Sequence, residues 1–302
     1  MLHPRLRGVL AALLALAQLG GAAGWAAEAR APAAMRPALW RLRDRDTTIW
    51  LFGTIHALPP HIEWETPALR FVIAHADRLV LEAVIDRDGK ASAEALYRLG
   101  RADRPLPPLA DRVPPRRRAA LKAMVAKSGW PAGTLDGFKT WAAAMVLFGV
   151  NVQGLGVSSA DGVEEQLKAQ FASAGKPIEG LETLDQQLGF FDTMTEAQQR
   201  EFLVGVLSDD GRDAADFGRM LTAWSHGNER GIQQSFDQDM KANDALATVL
   251  LARRNKRWAQ LLLDRLRRPG TQFVAVGAGH LVGAQSVLAD LRKRGLHPVR
   301  VQ

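Results

Sequence analysis

The chain has 302 residues, 47% of them apolar, enough for one large domain or two small ones with a sizeable core. It has no cysteine, which excludes disulfides, thiolate metal sites and a lipidated N-terminal cysteine, so any metal must take imidazole or oxygen ligands. The formal charge is +7, but the basic residues are scattered apart from Arg116-Arg117-Arg118 and the stretch 253–268, whose helical spacing with leucines is that of a solvated helix face, so no nucleic-acid partner is expected.

The N-terminus reads as a secretory signal over residues 1–29. Arg5 and Arg7 precede an almost wholly apolar run from Val9 to Leu19, and Ala27-Glu28-Ala29 forms an A-x-A-like cleavage site, with cleavage after Ala26 as the alternative. The run is short for a full span, and nothing later approaches membrane-spanning length. A periplasmic or secreted protein, with no membrane span after signal cleavage, is the expectation.

Two short β-like runs follow, 39–43 and 47–52, with Asp44-Arg45-Asp46 suited to a hairpin turn. The second leads into Gly53-Thr54-Ile55-His56 and then a Pro-rich loop. Thr66, as N-cap with Pro67 after it, starts a helix to about Ala76, and a strand is predicted over 79–84, carrying Glu82. Helical periodicity dominates from about 86 to 269. It is broken by a proline-rich loop at 105–115 and by a short strand at 176–182 that ends in Glu182 before another helix. Residues 138–150 form an apolar helix too short to cross a membrane, and Thr195 with Gln198 three residues on is a capping-box start. Further helices are predicted over 161–174, 214–225, 231–239 and 246–266. Then comes a second apolar strand into Gly277-Ala278-Gly279-His280, a helix over 284–294 and a final strand at 299–301.

The repeated device is therefore an apolar strand running into Gly-x-x-His. By composition, roughly 0.6 such matches are expected by chance, so the context and not the motif carries the weight. Two strand–GxxH–helix–strand units near opposite ends imply an α/β fold: a strand-rich shell built from both chain ends, with a large helical insertion between them. His56, Glu82, His280 and Glu182 all fall at strand ends, where open α/β sheets collect ligands. Two neutral imidazoles and a carboxylate form a ligand set for a divalent metal with an open position for water. Glu82 closes an apolar strand, where an unpaired carboxylate is costly. On spacing alone Arg254 and Asn255 fit a solvated helix face, although Asn255 amid charges could aim inward. His61 follows two prolines at a position suited to a cleft entrance, while His75, His226 and His297 fit surface or helix-end positions. No Gly-x-Ser-x-Gly, His-Glu-x-x-His or phosphate-binding glycine loop is present.

These motifs together resemble the TraB/GumN family and, more broadly, Tiki metalloproteases, erythromycin-esterase-like proteins and the haem-binding ChaN type. The resemblance rests on Leu51-Phe52-Gly53-Thr54-Ile55-His56-Ala57-Leu58-Pro59, Leu79-Val80-Leu81-Glu82, Gly180-Leu181-Glu182-Thr183 with Gln187, Arg254-Asn255, and Val274 through Leu281. It implies one α/β domain over 30–302 and a metal-dependent hydrolase, with a Tiki-like peptidase as the leading form. His56, Glu82 and His280 would hold a divalent ion (Mn, Co or Zn), with Glu182, Arg254 and Asn255 as catalytic residues and a peptide or small molecule as substrate. The alternatives are a non-catalytic periplasmic binding or accessory protein linked to polysaccharide, and a metal-independent esterase with His56 as base. Arg253 stands where relatives often carry an acid. The single tyrosine, Tyr97, lies outside every matched motif, which gives a tyrosinate haem ligand little backing. Oligomeric state is left open.

Overall fold

The computed structural model describes residues 35–86, 89–207, 213–240 and 248–302; the predicted leader at 1–29 lies outside them. Six strands form one sheet: β1 Leu39–Arg43, β2 Thr47–Thr54, β3 Arg78–Leu81, β4 Ile178–Gly180, β5 Gly270–Gly277 and β6 Val299–Arg300, in the order β4-β3-β5-β2-β1-β6. β4, β3, β5 and β2 are mutually parallel; β1 runs against β2, and β6 pairs antiparallel with β1. The strands that carry the two Gly-x-x-His motifs are direct neighbours, with Gly53 opposite Val276 and Thr54 opposite Gly277. Chain ends more than two hundred residues apart are thus joined at the centre of the sheet.

Eleven α-helices are present among the described residues: α1 Pro67–His75, α2 Lys90–Gly100, α3 Arg118–Lys127, α4 Thr140–Gln153, α5 Val163–Ser173, α6 Leu184–Asp192, α7 Glu196–Val206, α8 Asp213–Ser225, α9 Glu229–Met240, α10 Arg253–Arg265 and α11 Val287–Lys293. The period-2 pattern of the strands sorts them into three layers. Phe52, Leu79, Leu81, Phe273 and Ala275 face the large helical side, whose core includes Trp141, Leu147, Phe171, Phe191 and Phe202. Ile49, Leu51, Val80, Val274 and Val276 face the other side, against Trp258 and Leu262 of α10 and Leu288 and Leu291 of α11. The apolar helix α4 is buried almost all round, as its composition requires.

Several local expectations hold in detail. The Thr66 hydroxyl accepts from Leu69 N–H, and the Thr195–Gln198 capping box makes both of its bonds. Others shift. The strand expected over 79–84 ends at Leu81, and the one expected to end in Glu182 stops at Gly180, so both acids lie just past the sheet. They remain side by side, with Glu182 N–H donating to the Glu82 carbonyl at 2.9 Å. Of the helix predicted over 246–266, residues 246 and 247 lie outside the described residues; the rest opens with a π-helical turn, Thr248–Ala252, before α10. The last helix starts later than expected because Ser286 caps it, its hydroxyl accepting from Ala289 N–H.

Candidate functional site

All four parallel strands deliver a polar residue to the same carboxyl edge: Glu182 after β4, Glu82 after β3, His280 after β5 and His56 after β2. Each is buried. The two imidazoles converge on one oxygen, with Glu82 Oε1 lying 3.9 Å from His56 Nε2 and 3.6 Å from His280 Nε2. In both rings Nδ1 is held from behind. His280 Nδ1 meets Asn255 Oδ1 at 2.6 Å, and His56 Nδ1 meets Glu164 Oε1 at 2.5 Å. Asn255 is itself fixed by donating Nδ2–H to the Gln285 carbonyl. Nε2 is therefore the nitrogen each ring turns toward Glu82, and that of His56 is buried with no partner.

The glycines of the two motifs have a spatial purpose. Neither Gly53 nor Gly277 has a positive φ, so the turn that glycine alone can make is not the reason for them. A Cβ on Gly53 would approach Ala278 Cα to 3.0 Å; one on Gly277 would sit 3.0 Å from His56 Nε2 and 3.1 Å from Glu82 Oε1. Each motif's glycine makes room for the other motif, and Gly277 keeps open the space among the three converging atoms. Its N–H also donates to Glu82 Oε1 at 2.7 Å.

Arg254 ties the acids together. It sits in the first turn of α10 with Asn255, and both are buried while Arg253, Lys256 and Arg257 on the same helix are exposed. The spacing reading of a solvated face thus holds for three of the charges and fails for Arg254. Its Nε and Nη2 donate to Glu182 Oε1, Nη2 also donates to Glu82 Oε2 at 2.5 Å, and Nη1 donates to the Leu250 carbonyl and approaches His280 Nε2 at 3.4 Å. The five guanidinium hydrogens thereby have partners. The group also lies over the Trp258 ring, whose centroid is 4.5 Å away, and Trp258 Nε1 donates to Glu182 Oε2. Gln187 adds a donor to Glu82 Oε2 at 3.3 Å.

These neighbours set the charges. Burial alone raises the Glu82 pKa, but Arg254, then both histidines and the Gly277 N–H, overcome it and hold the carboxyl down at about 2. Burial lowers His280 to about 3, with Arg254 and His56 adding to the effect, so its ring is neutral. Burial lowers His56 as well, yet the Glu164 carboxylate, by charge and hydrogen bond, more than reverses this and the pKa is raised. Glu182 is raised, chiefly by burial.

A cleft with roughly 40 Å³ of internal volume opens onto this cluster. His56, Glu82, Glu164 and Gln187 line it, with Leu81 and Ile85 as an apolar wall. His280, Glu182, Arg254 and Asn255 are not among its lining residues and stand behind it. His61, His75, His226 and His297 are exposed, and His61 is not among the lining residues. Glu164 is the site residue that sequence reasoning passed over. As the second residue of an amphipathic helix, beside Glu165, it has the look of an acid favoured at any helix N-terminus; only the preceding Gly162, which lets that helix start against His56, hints otherwise.

The fold and the cluster define an α/β protein with paired imidazoles and an arginine-bridged pair of carboxylates at the carboxyl edge of a mostly parallel sheet. The chain belongs to the TraB/PrgY/gumN family, whose profile matches residues 38–300. It is similar to the uncharacterized protein YbaP of Escherichia coli (strain K12), 31% identical over 165 residues covering 50% of this chain and 56% of that protein, and the YbaP of Shigella flexneri gives the same figures. The chain thus spans a little over half the length of the curated relatives it matches. No solved structure matches it.

Proposed function

We propose that this chain is a periplasmic metal-dependent hydrolase acting on peptide bonds, with His56, His280 and Glu82 holding a divalent ion such as Mn, Co or Zn. One observation carries the reading: two buried rings, each anchored through Nδ1, turn Nε2 toward the same carboxylate oxygen around a space that Gly277 leaves clear. Metal-bound histidines are typically held in this way, the second ring nitrogen donating to an oxygen that fixes tautomer and orientation. The donor set is one a divalent ion takes: Glu82 is ionised, His56 Nε2 is unpartnered, and His280 is neutral, its Nε2 open to an ion once Arg254 Nη1, 3.4 Å away, gives it up. A bound ion there would acidify water and polarise a carbonyl.

The chain's own groups do the positioning. Arg254 holds Glu82 and Glu182 in place and neutralises them; with its hydrogens engaged, it serves the carboxylates and not the substrate. Glu182, with both oxygens taken by Arg254 and Trp258, supports that clamp. Asn255 sets the His280 tautomer. The leader read at 1–29 supports the periplasmic location, and no described helix is long and apolar enough to cross a membrane.

A metal-free hydrolase with His56 as general base is the second reading. One observation favours it: the Glu164–His56 pair by itself is the orienter–base arrangement of nucleophilic enzymes.

The test is the metal content of the purified chain and its turnover of matched peptide and ester substrates, with and without chelator. Peptide turnover that chelator removes and Mn, Co or Zn restores, and that falls at least 100-fold in both His56→Ala and His280→Ala, supports the first reading. Chelator-insensitive ester cleavage overturns it for the second; tight ligand binding without turnover overturns both. Gly277→Ala is a sharper probe, because φ −49° at this position suits any residue. The new methyl would enter the space between His56 Nε2 and Glu82 Oε1, so metal binding and turnover should fall by two orders of magnitude or more. Overpacking should cost about 1–3 kcal/mol. Unchanged metal affinity in a folded Gly277→Ala protein would place the ion elsewhere.

A further inference from the structure

We propose that Glu164, braced by Thr54, is the positioning residue of His56: it holds the hydrogen on Nδ1 and leaves Nε2 as the bare nitrogen turned to the cleft. This rests on the reading of His56 as a working residue of the cleft. The brace is independent of any ligand, because backbone contacts build it. Val163 N–H donates to the Ile55 carbonyl at 3.1 Å, and Leu58 and Ser158 exchange hydrogen bonds at 3.2 and 3.0 Å. The segment entering α5 is therefore zipped onto the segment leaving β2, on either side of His56.

That approach is possible only because residue 162 has no side chain: a Cβ there would collide with the His56 carbonyl. The α5 N-terminus consequently starts directly over the histidine and delivers Glu164 to it. Glu164 Oε1 receives both the Thr54 hydroxyl and His56 Nδ1, while Oε2 has no partner. Thr54 is the last residue of β2 and is 1% exposed, so its hydroxyl is as fixed as the sheet. Two donors on one oxygen determine where the carboxylate lies, and a carboxylate so placed accepts a hydrogen from Nδ1 and leaves Nε2 free. A structural ion pair would require only proximity. The arrangement here selects one tautomer and one ring face.

The experiment reads the ring directly in metal-free protein. Two-bond nitrogen–proton correlation spectra of the full chain, recorded at alkaline pH where His56 is neutral, report which nitrogen carries the hydrogen. The wild type is expected to carry it on Nδ1. Glu164→Met, of similar size and without the acceptor, should move it to Nε2 or to a mixture, while Glu164→Gln, which keeps an acceptor oxygen, should retain it on Nδ1. Titration with Mn and Zn should show affinity falling 10–100-fold in Glu164→Met and less than tenfold in Glu164→Gln, the range expected for groups that orient metal-binding histidines. A hydrogen on Nε2 in the wild type overturns the proposal by that spectrum alone. So does a Glu164→Met protein with the wild-type tautomer, or a Glu164→Gln protein indistinguishable from Glu164→Met. A wild type that binds neither metal removes the hydrolase reading and leaves the tautomer result to decide the role of Glu164.

Discussion

Arg254→Met should lower stability by about 3–5 kcal/mol, the cost of leaving a buried charge without its partner. The substitution preserves much of the side-chain volume over Trp258 and removes the guanidinium alone. Glu82 and Glu182 would then be two buried carboxylates side by side just past the ends of neighbouring strands, each 5% exposed, with no cation between them. For a domain of this size the loss corresponds to a melting temperature roughly 10 °C lower. The pH dependence identifies the cause. In the wild type the Glu82 pKa is depressed from 4.5 to about 2, so its stabilisation is complete above 4.5 and disappears as pH falls toward 2. Without Arg254 burial dominates, the folded pKa rises above 4.5, and protonation relieves the variant. The gap between the two proteins should therefore narrow from pH 7 to pH 4. Thermal melts at matched pH decide it: a gap under 2 °C at pH 7, or one that stays constant into acid, contradicts the clamp role. Arg254→Lys should recover only part of the loss, since an ammonium has no rigid fork to span two carboxylates.

This cluster also shows where sequence reasoning runs out. The two Gly-x-x-His strands, the acids after β3 and β4 and the order of elements are legible because strand periodicity and turn residues are local signals. Burial on both faces marks β2 and β5 as central parallel strands, but β3 is buried in the same way, so their adjacency is set by the fold. Arg254 is different. On α10 it is one of five consecutive charged or polar residues, 253–257, and on spacing only the fold distinguishes the residue against Trp258 from those in solvent. Asn255 fits the same face on spacing, although amid charges it could aim inward and the family resemblance singles it out; only the fold sets it against His280, twenty-five residues later. Glu164 is furthest from view, since its value lies in a contact across 108 residues that no local pattern encodes. The sheet order is similarly tertiary: β6 leaves its own Gly-x-x-His unit to close the far edge on β1.

The second large effect is loss of stability in mild acid, carried by His280. Its folded pKa is lowered from 6.5 to about 3, so the native state refuses a proton that the unfolded chain accepts over that whole window. Stability from this group is thus present above 6.5 and falls as pH drops toward 3, by about 2 kcal/mol between pH 7 and pH 5. His56 works in the opposite direction. Its folded pKa is raised, so its contribution is complete below 6.5 and is lost as pH rises through the folded value. The net slope of the wild type combines the two, and His280→Gln isolates the first. Urea unfolding at pH 7, 6 and 5 should show the wild type losing about 2 kcal/mol relative to His280→Gln across that range, whatever the variant costs at pH 7 in lost contacts with Asn255 and Trp258. Parallel slopes in the two proteins would mean that the His280 ring takes up its proton in the folded state, and that it is not the fixed neutral donor the Asn255 contact makes it. A divalent ion, if it binds there, should steepen the same slope, because protons compete with it for Nε2.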